Sequence, residues 1–151
     1  MRISLDLDGV LCDLSCATLS VAHAMFSAGT LGEDDLRSIY LRALPKAHPT
    51  QFTMWGNDAV LIITGRLPIA HGWTRTWLYV NGMGEYDVIC VGDAYVEEVW
   101  ANGDSEGASK ATAERKAEAC RLYHVDLHID NNPVVVQRMC ELGIDAICVR
   151  R

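Results

Sequence analysis

With 151 residues, half of them hydrophobic, the chain is long enough to close one domain around a core. A formal net charge of -7 disfavours a protein that tracks a nucleic-acid backbone, which needs a basic face. It leaves room for a small anionic ligand, because a metal ion and a few cationic side chains reverse the sign locally.

Ile3-Ser4-Leu5-Asp6-Leu7-Asp8-Gly9-Val10-Leu11 opens the chain as a strand and the turn after it. Its period of two puts Asp6 and Asp8 on the same side, and Gly9 permits a sharp turn. Two carboxylates therefore meet at the lip of a sheet, where open α/β sheets bind ligands. Like charges that close require a cation, a shared proton or both. Taken alone, Asp6-x-Asp8-Gly9 reads equally well as a polar turn. An EF-hand loop is excluded, since it wants its glycine at the sixth position and an acid where Ala17 stands.

Ser15 to about Ala28 is expected as a helix with Leu14, Val21, Ala22 and Met25 on a buried stripe, ended by Gly29-Thr30-Leu31-Gly32. The stretch from Leu14 to Gly32 lacks formal charge but is interrupted by Ser, Thr, Gly and His23, which fits a packed helix and not a membrane span. The chain enters its first strand at once, so no signal peptide is expected. Six cysteines without a Cys-x-x-Cys pair read as small buried apolar residues in a reducing, cytoplasmic compartment, with Cys12 and Cys16 near the carboxylates.

Glu33-Asp34-Asp35 opens a second helix that carries Leu36, Ile39, Tyr40 and Ala43 up to Pro45. Ala59-Val60-Leu61-Ile62-Ile63-Thr64 is the apolar run of a parallel strand covered on both faces. A helix from near Pro68, with Ile69, Trp73, Trp77 and Val80 on one face, closes at Asn81-Gly82. Asp87-Val88-Ile89-Cys90-Val91 is a third strand. Gly92 to Ser109, rich in Gly, Asp, Asn and Glu, reads as a surface loop or short hairpin. A helix over about Ala113 to Tyr123, a strand Asp126 to Asp130, a helix from Pro133 to Gly143 and a strand Asp145 to Val149 complete the chain. The alternation predicts a Rossmann-like, doubly wound, mostly parallel five-stranded α/β sheet.

Parallel strands deliver their carboxyl ends to one edge, so Asp6 and Asp8, Thr64-Gly65-Arg66 and Asp130-Asn131-Asn132 are expected to converge. Carboxylates, a hydroxyl and a lysine brought together suit magnesium and phosphate, since Mg²⁺ needs oxygen ligands and phosphate oxygens need donors.

In order and spacing, Asp6-Leu7-Asp8-Gly9-Val10-Leu11, the strand ending Thr64-Gly65-Arg66, an upstream lysine and Ile129-Asp130-Asn131-Asn132-Pro133 resemble the motifs of the haloacid dehalogenase (HAD) superfamily of phosphohydrolases, over nearly the full length. The resemblance implies that Asp6 attacks phosphorus to form an aspartyl phosphate, and that Asp8 protonates the leaving oxygen and then activates water. It implies Mg²⁺ held by the side chains of Asp6 and Asp130 and by the Asp8 carbonyl, with Thr64 donating to phosphate and Gly65 and Arg66 beside the substrate. Two lysines compete for the remaining role. Lys116 stands fourteen residues before Asp130 and is favoured as lying in the first turn of a helix starting near Ala113; Lys110, twenty before, would need a helix from Ser109. The last motif departs from the family in that Asn131 replaces its second acid, which implies weaker metal binding.

Within that family a segment after the first motif covers the site, and here about 15–57 would supply a small helical cap. Asp6-x-Asp8-Gly9-Val10-Leu11-x-Asp13 resembles the deoxyribonucleotidase branch, and Gly65-Arg66 with Thr74-x-x-Trp77-Leu78 is similar to the phosphatase domain of phage polynucleotide kinase. The implied substrate is a small phosphorylated compound, a nucleoside monophosphate first and a polynucleotide 3′-phosphate second; a catalytically silent nucleotide- or partner-binding relative is the reading from another class. Tyr40, Phe52 and Trp55 are candidates to stack on a base, and Arg37, Arg42 and Lys46 to meet a phosphate, though each reads more readily as core aromatic or solvated charge.

Overall fold

The structure, a computed structural model, describes residues 1–13, 17–50 and 59–149. In chain order its elements are β1 (Arg2–Leu5), β2 (Cys12–Asp13), α1 (Ala17–Ser27), α2 (Glu33–Ala43), β3 (His48–Pro49), β4 (Ala59–Thr64), α3 (His71–Val80) and β5 (Asp87–Cys90). They continue as α4 (Ala94–Ala101), α5 (Ser105–Leu122), β6 (Leu127–Asp130), α6 (Pro133–Glu141) and β7 (Ala146–Cys148). Five strands form one sheet in the order β5-β4-β1-β6-β7, and every pairing in it is parallel.

β4 shows why the sheet is wound on both faces. Ile62 joins one apolar cluster with Leu5, Leu36, Tyr40 and Leu78, whereas its neighbours Leu61 and Ile63 join another with Ala113, Ala117, Val135 and Met139. Successive side chains point to opposite faces of a strand, so an unbroken apolar run requires helices on both sides. α1, α2 and α3 cover the first face; α5 and α6 cover the second. The excursion between β1 and β4 shares the main core and is tied at its base by the antiparallel pairing of Asp13 with His48 and Cys12 with Pro49.

Several expectations are corrected. The first strand ends at Leu5, so Asp6 and Asp8 lie in the turn just beyond it and do not themselves end the strand. On α1 the buried face carries Leu19, Ala22 and His23, leaving Val21 and Met25 exposed. The helix is apolar nearly all round, and packing against α2 and α4 decides which face is covered. Val80 is exposed too, while Trp77 and Leu78 are buried. The segment expected as a surface loop forms α4 and the first turn of α5. Asp93 caps α4 by accepting from Val96 N at 2.9 Å, and Asp104 caps α5 by accepting from Gly107 N at 2.7 Å. Val96, Ala108 and Ala111 then pack together between the two helices. Cys12 and Cys120 are buried but Cys140 is exposed. Leu14, Ser15, Cys16, Phe52 and Trp55 lie outside the described residues.

Candidate active site

The carboxyl edge of the sheet gathers the charged residues. Asp6 follows β1 directly, and its backbone N–H donates to Ile129 O at 2.8 Å, which holds the start of the turn against β6. Gly9 then reverses the chain with φ +86°, a conformation that L side chains rarely adopt. A Cβ there would lie 2.2 Å from Asn131 Nδ2, so this turn and the one after β6 are in direct contact. Asp130 ends β6 and accepts from Asn132 N at 2.8 Å; Asn132 in turn accepts from Val134 N at 3.0 Å and caps α6, whose first residue is Pro133.

Lys116 reaches this edge from the middle of α5. Its Nζ donates to Asp6 Oδ1 and to Asp130 Oδ2, both at 2.7 Å, with the lysine only 2% exposed. Lys110 lies on the same helix but is exposed and pairs with Glu106. The expected helix start is corrected here: α5 begins at Ser105, so Lys116 sits in its fourth turn and both lysines are helical. Asp8 faces a different cation. Arg66 Nη2 donates to Asp8 Oδ1 at 2.6 Å and Nε to Oδ2 at 2.9 Å, while Nη1 donates to Thr74 Oγ1 at 3.0 Å. This bidentate fork commits the buried guanidinium to Asp8 and α3. Thr64, buried at the end of β4, accepts weakly from Arg66 N at 3.4 Å, and Gly65 lines the site beside it.

Three carboxylates thus share one edge with two cations. Burial raises the pKa of Asp6, opposed by Lys116 and reinforced by Asp130 and Asp8. Burial acts the same way on Asp130, but Lys116, a hydrogen bond from His128 and the Asn132 N–H outweigh it and hold Asp130 below the ordinary carboxylate range. For Lys116 and Arg66, burial is outweighed by their carboxylates, and both are held above their ordinary values. Behind Asp130, His128 is fully buried between Ser4 Oγ at 2.8 Å and Asp130 Oδ2 at 3.4 Å, and burial lowers its pKa.

Asp6, Asp8, Thr64, Gly65, Arg66, Lys116 and Asp130 line a cavity of about 340 Å³. Its other wall was not anticipated: Leu19 and His23 come from α1, and Val96, Glu97 and Trp100 from α4. Asp93 ahead of Val96, Val99 and Trp100 at helical spacing was the available signal for α4. For His128 it was the two-residue spacing from Asp130, which puts both side chains on one side of β6. Tyr40 is fully buried against His23 and Trp73, and Arg37, Arg42 and Lys46 are exposed; none of the four lines the cavity.

Among the described residues no three His, Cys, Asp or Glu side chains converge as a ready metal cage. The donor set nevertheless fits a small hard cation. Asp6 and Asp130 offer oxygen ligands at one sheet edge, and Lys116 takes one oxygen of each.

Compared with known proteins, the sequence matches no protein-family model and no curated protein. The structure is similar to the crystal structure of a HAD family enzyme from Bacteroides thetaiotaomicron in a magnesium complex. The TM-score is 0.51 and the identity 11%, covering 99% of this chain and 92% of that one. At that identity the two share a fold, and the chain has a HAD-like, Rossmann-type α/β architecture. Among the described residues no helix is long and apolar enough to cross a membrane.

Proposed function

We propose that the protein is a magnesium-dependent phosphomonoesterase that works through an aspartyl phosphate on Asp6. The observation that carries this reading is the placement of Lys116 Nζ between Asp6 and Asp130, in the cavity that also holds Asp8 and Thr64. Asp6 stands at the sheet edge with one oxygen pinned, which aims the carboxylate for in-line attack on phosphorus. Lys116 and the Thr64 hydroxyl are the donors for charge that builds on the phosphoryl oxygens.

Asp8 serves the leaving group. Both of its oxygens accept from Arg66, so it takes up the proton it delivers to the ester oxygen at the expense of one of those two bonds. Delivery of that proton leaves the carboxylate and restores the fork; Asp8 then accepts a proton from the attacking water, again giving up one bond to Arg66. Arg66 is therefore a positioning residue for Asp8. Asp6, Asp130 and the Asp8 carbonyl would hold Mg²⁺, which supplies charge neutralisation between the carboxylate nucleophile and the anionic phosphate.

The segment over 17–50, packed on the same core, serves as the small cap, and the substrate is a nucleoside monophosphate. The motif resemblance supports that choice, and the size of the cavity and the acidity of the chain favour it over a polynucleotide end. Hydrolysis of phosphomonoesters is expected with Mg²⁺ and not with chelator, and Asp6→Asn should abolish phosphate release while leaving the circular dichroism spectrum unchanged. Turnover retained by that variant would overturn the covalent route.

A further inference from the structure

The wall contributed by α1 and α4 carries charge that phosphate chemistry does not use. Glu97 is 6% exposed and lines the cavity, although Asp6, Asp8 and Asp130 already make the site rich in carboxylates. A fourth acid there repels the phosphate of any substrate. Its partner is His23, 5% exposed, with Nδ1 at 3.4 Å from Glu97 Oε1. The other ring nitrogen, Nε2, lies 2.5 Å from Tyr40 Oη, and the two rings stack with centroids 5.5 Å apart. His23 is thereby held from both ends, and Glu97 is anchored through one oxygen.

Anchoring α4 to α1 accounts for that contact alone. It does not require the pair to line the cavity, nor an aromatic ring beside it. Trp100 stands three residues after Glu97 on α4, at a spacing that puts both on one helix face, and it lines the same cavity. A carboxylate and an aromatic ring in one cavity wall suit a nitrogen group bearing hydrogens. The acid accepts its N–H bonds, and the ring takes a cation over its face or a flat base against it.

We infer that Glu97, held by His23 and flanked by Trp100, forms a subsite for an N–H-bearing group on the alcohol part of the phosphate ester. This rests on the phosphomonoesterase reading and names the substrate class: a phosphomonoester carrying an amine or an amino-substituted base, with its phosphate at Lys116 and Thr64 and its nitrogen at Glu97. The acid offsets its repulsion of the phosphate only for substrates that bring such a donor. Selectivity thus comes from rejecting plain phosphate esters as well as from holding the right one.

The test uses two matched pairs on the full chain with Mg²⁺. Phosphoethanolamine against ethyl phosphate probes an aliphatic ammonium, and adenosine 5′-monophosphate against purine riboside 5′-monophosphate probes a base amino group. The N–H-bearing member of one pair should be preferred at least tenfold in kcat/KM, through KM, and the responding pair identifies the source. Glu97→Gln should erase an ammonium preference, and Glu97→Leu should erase either one. Trp100→Leu should weaken it severalfold. A structural clamp would lower both members of a pair alike and leave their ratio intact; that result, or equal use of both members by the wild type, overturns the subsite. Calorimetric titration of the same pairs into wild type and Glu97→Gln separates the two claims. If nothing is hydrolysed, the phosphatase reading fails, whereas equal or absent affinity within both pairs overturns the subsite itself.

Discussion

Two charge clusters on α5 lie within two turns of each other and behave as different physical objects. At the sheet edge, Lys116 is buried between Asp6 and Asp130, at 2.7 Å from each. Further toward the helix start, Lys110 pairs with Glu106, and nearby Arg138 of α6, itself half-buried, bridges the exposed Glu114 and Glu141. The distances are alike, so distance does not separate them. Desolvation does. In the buried cluster each partner has lost its water, and removing one leaves charge that nothing else neutralises; in the exposed one water and salt replace the missing partner.

Breaking the buried cluster should have the largest effect. Lys116→Ala is expected to lower kcat by about 10²–10³, the scale of a lost transition-state donor. The unfolding free energy in urea should fall by about 3–5 kcal/mol, because two carboxylates are left facing each other without a cation. A variant with wild-type kcat and midpoint would show that the buried lysine is neither a donor to the reaction nor a counter-charge.

A second change sharpens the comparison by leaving every charge in place and moving only the backbone beneath the cluster. Gly9→Ala places a Cβ at φ +86° and against the Asn131 side chain. The backbone strain alone costs roughly 1–2 kcal/mol. Because the Gly9 turn carries Asp8 and touches the turn that carries Asp130, kcat should drop together with the unfolding midpoint. Loss of stability with unchanged kcat would mean that the two turns do not set the site geometry.

The smallest effect belongs to the exposed cluster. Lys110→Ala should leave kcat and the unfolding midpoint at wild-type values, since the side chain is exposed and only an i,i+4 ion pair is lost. A loss approaching that of Lys116→Ala would erase the distinction between the two clusters.

The strand plan was legible along the chain because each strand is a short apolar run closed by a polar turn, and because burial of β4 on both faces leaves its unbroken run little alternative. Asp6, Asp8, Thr64 and Asp130 follow from that plan, since parallel strands bring their carboxyl ends to one edge whatever lies between them. The spacing of Lys116 from Asp130 singles it out, yet the helix carrying it starts earlier than its composition indicates. Ser105 to Ser109 reads as loop by composition, and becomes helix through the Asp104 cap and the packing of Ala108 and Ala111 against Val96. Which face of α1 is buried was undecidable from a helix apolar nearly all round, and α2 and α4 settled it against Val21 and Met25. The pairing of Arg66 with Asp8 and the meeting of His23 with Glu97 belong wholly to the tertiary structure. Those partners come from segments far apart in the chain, and periodicity records which side of an element is apolar, not which polar group waits opposite it.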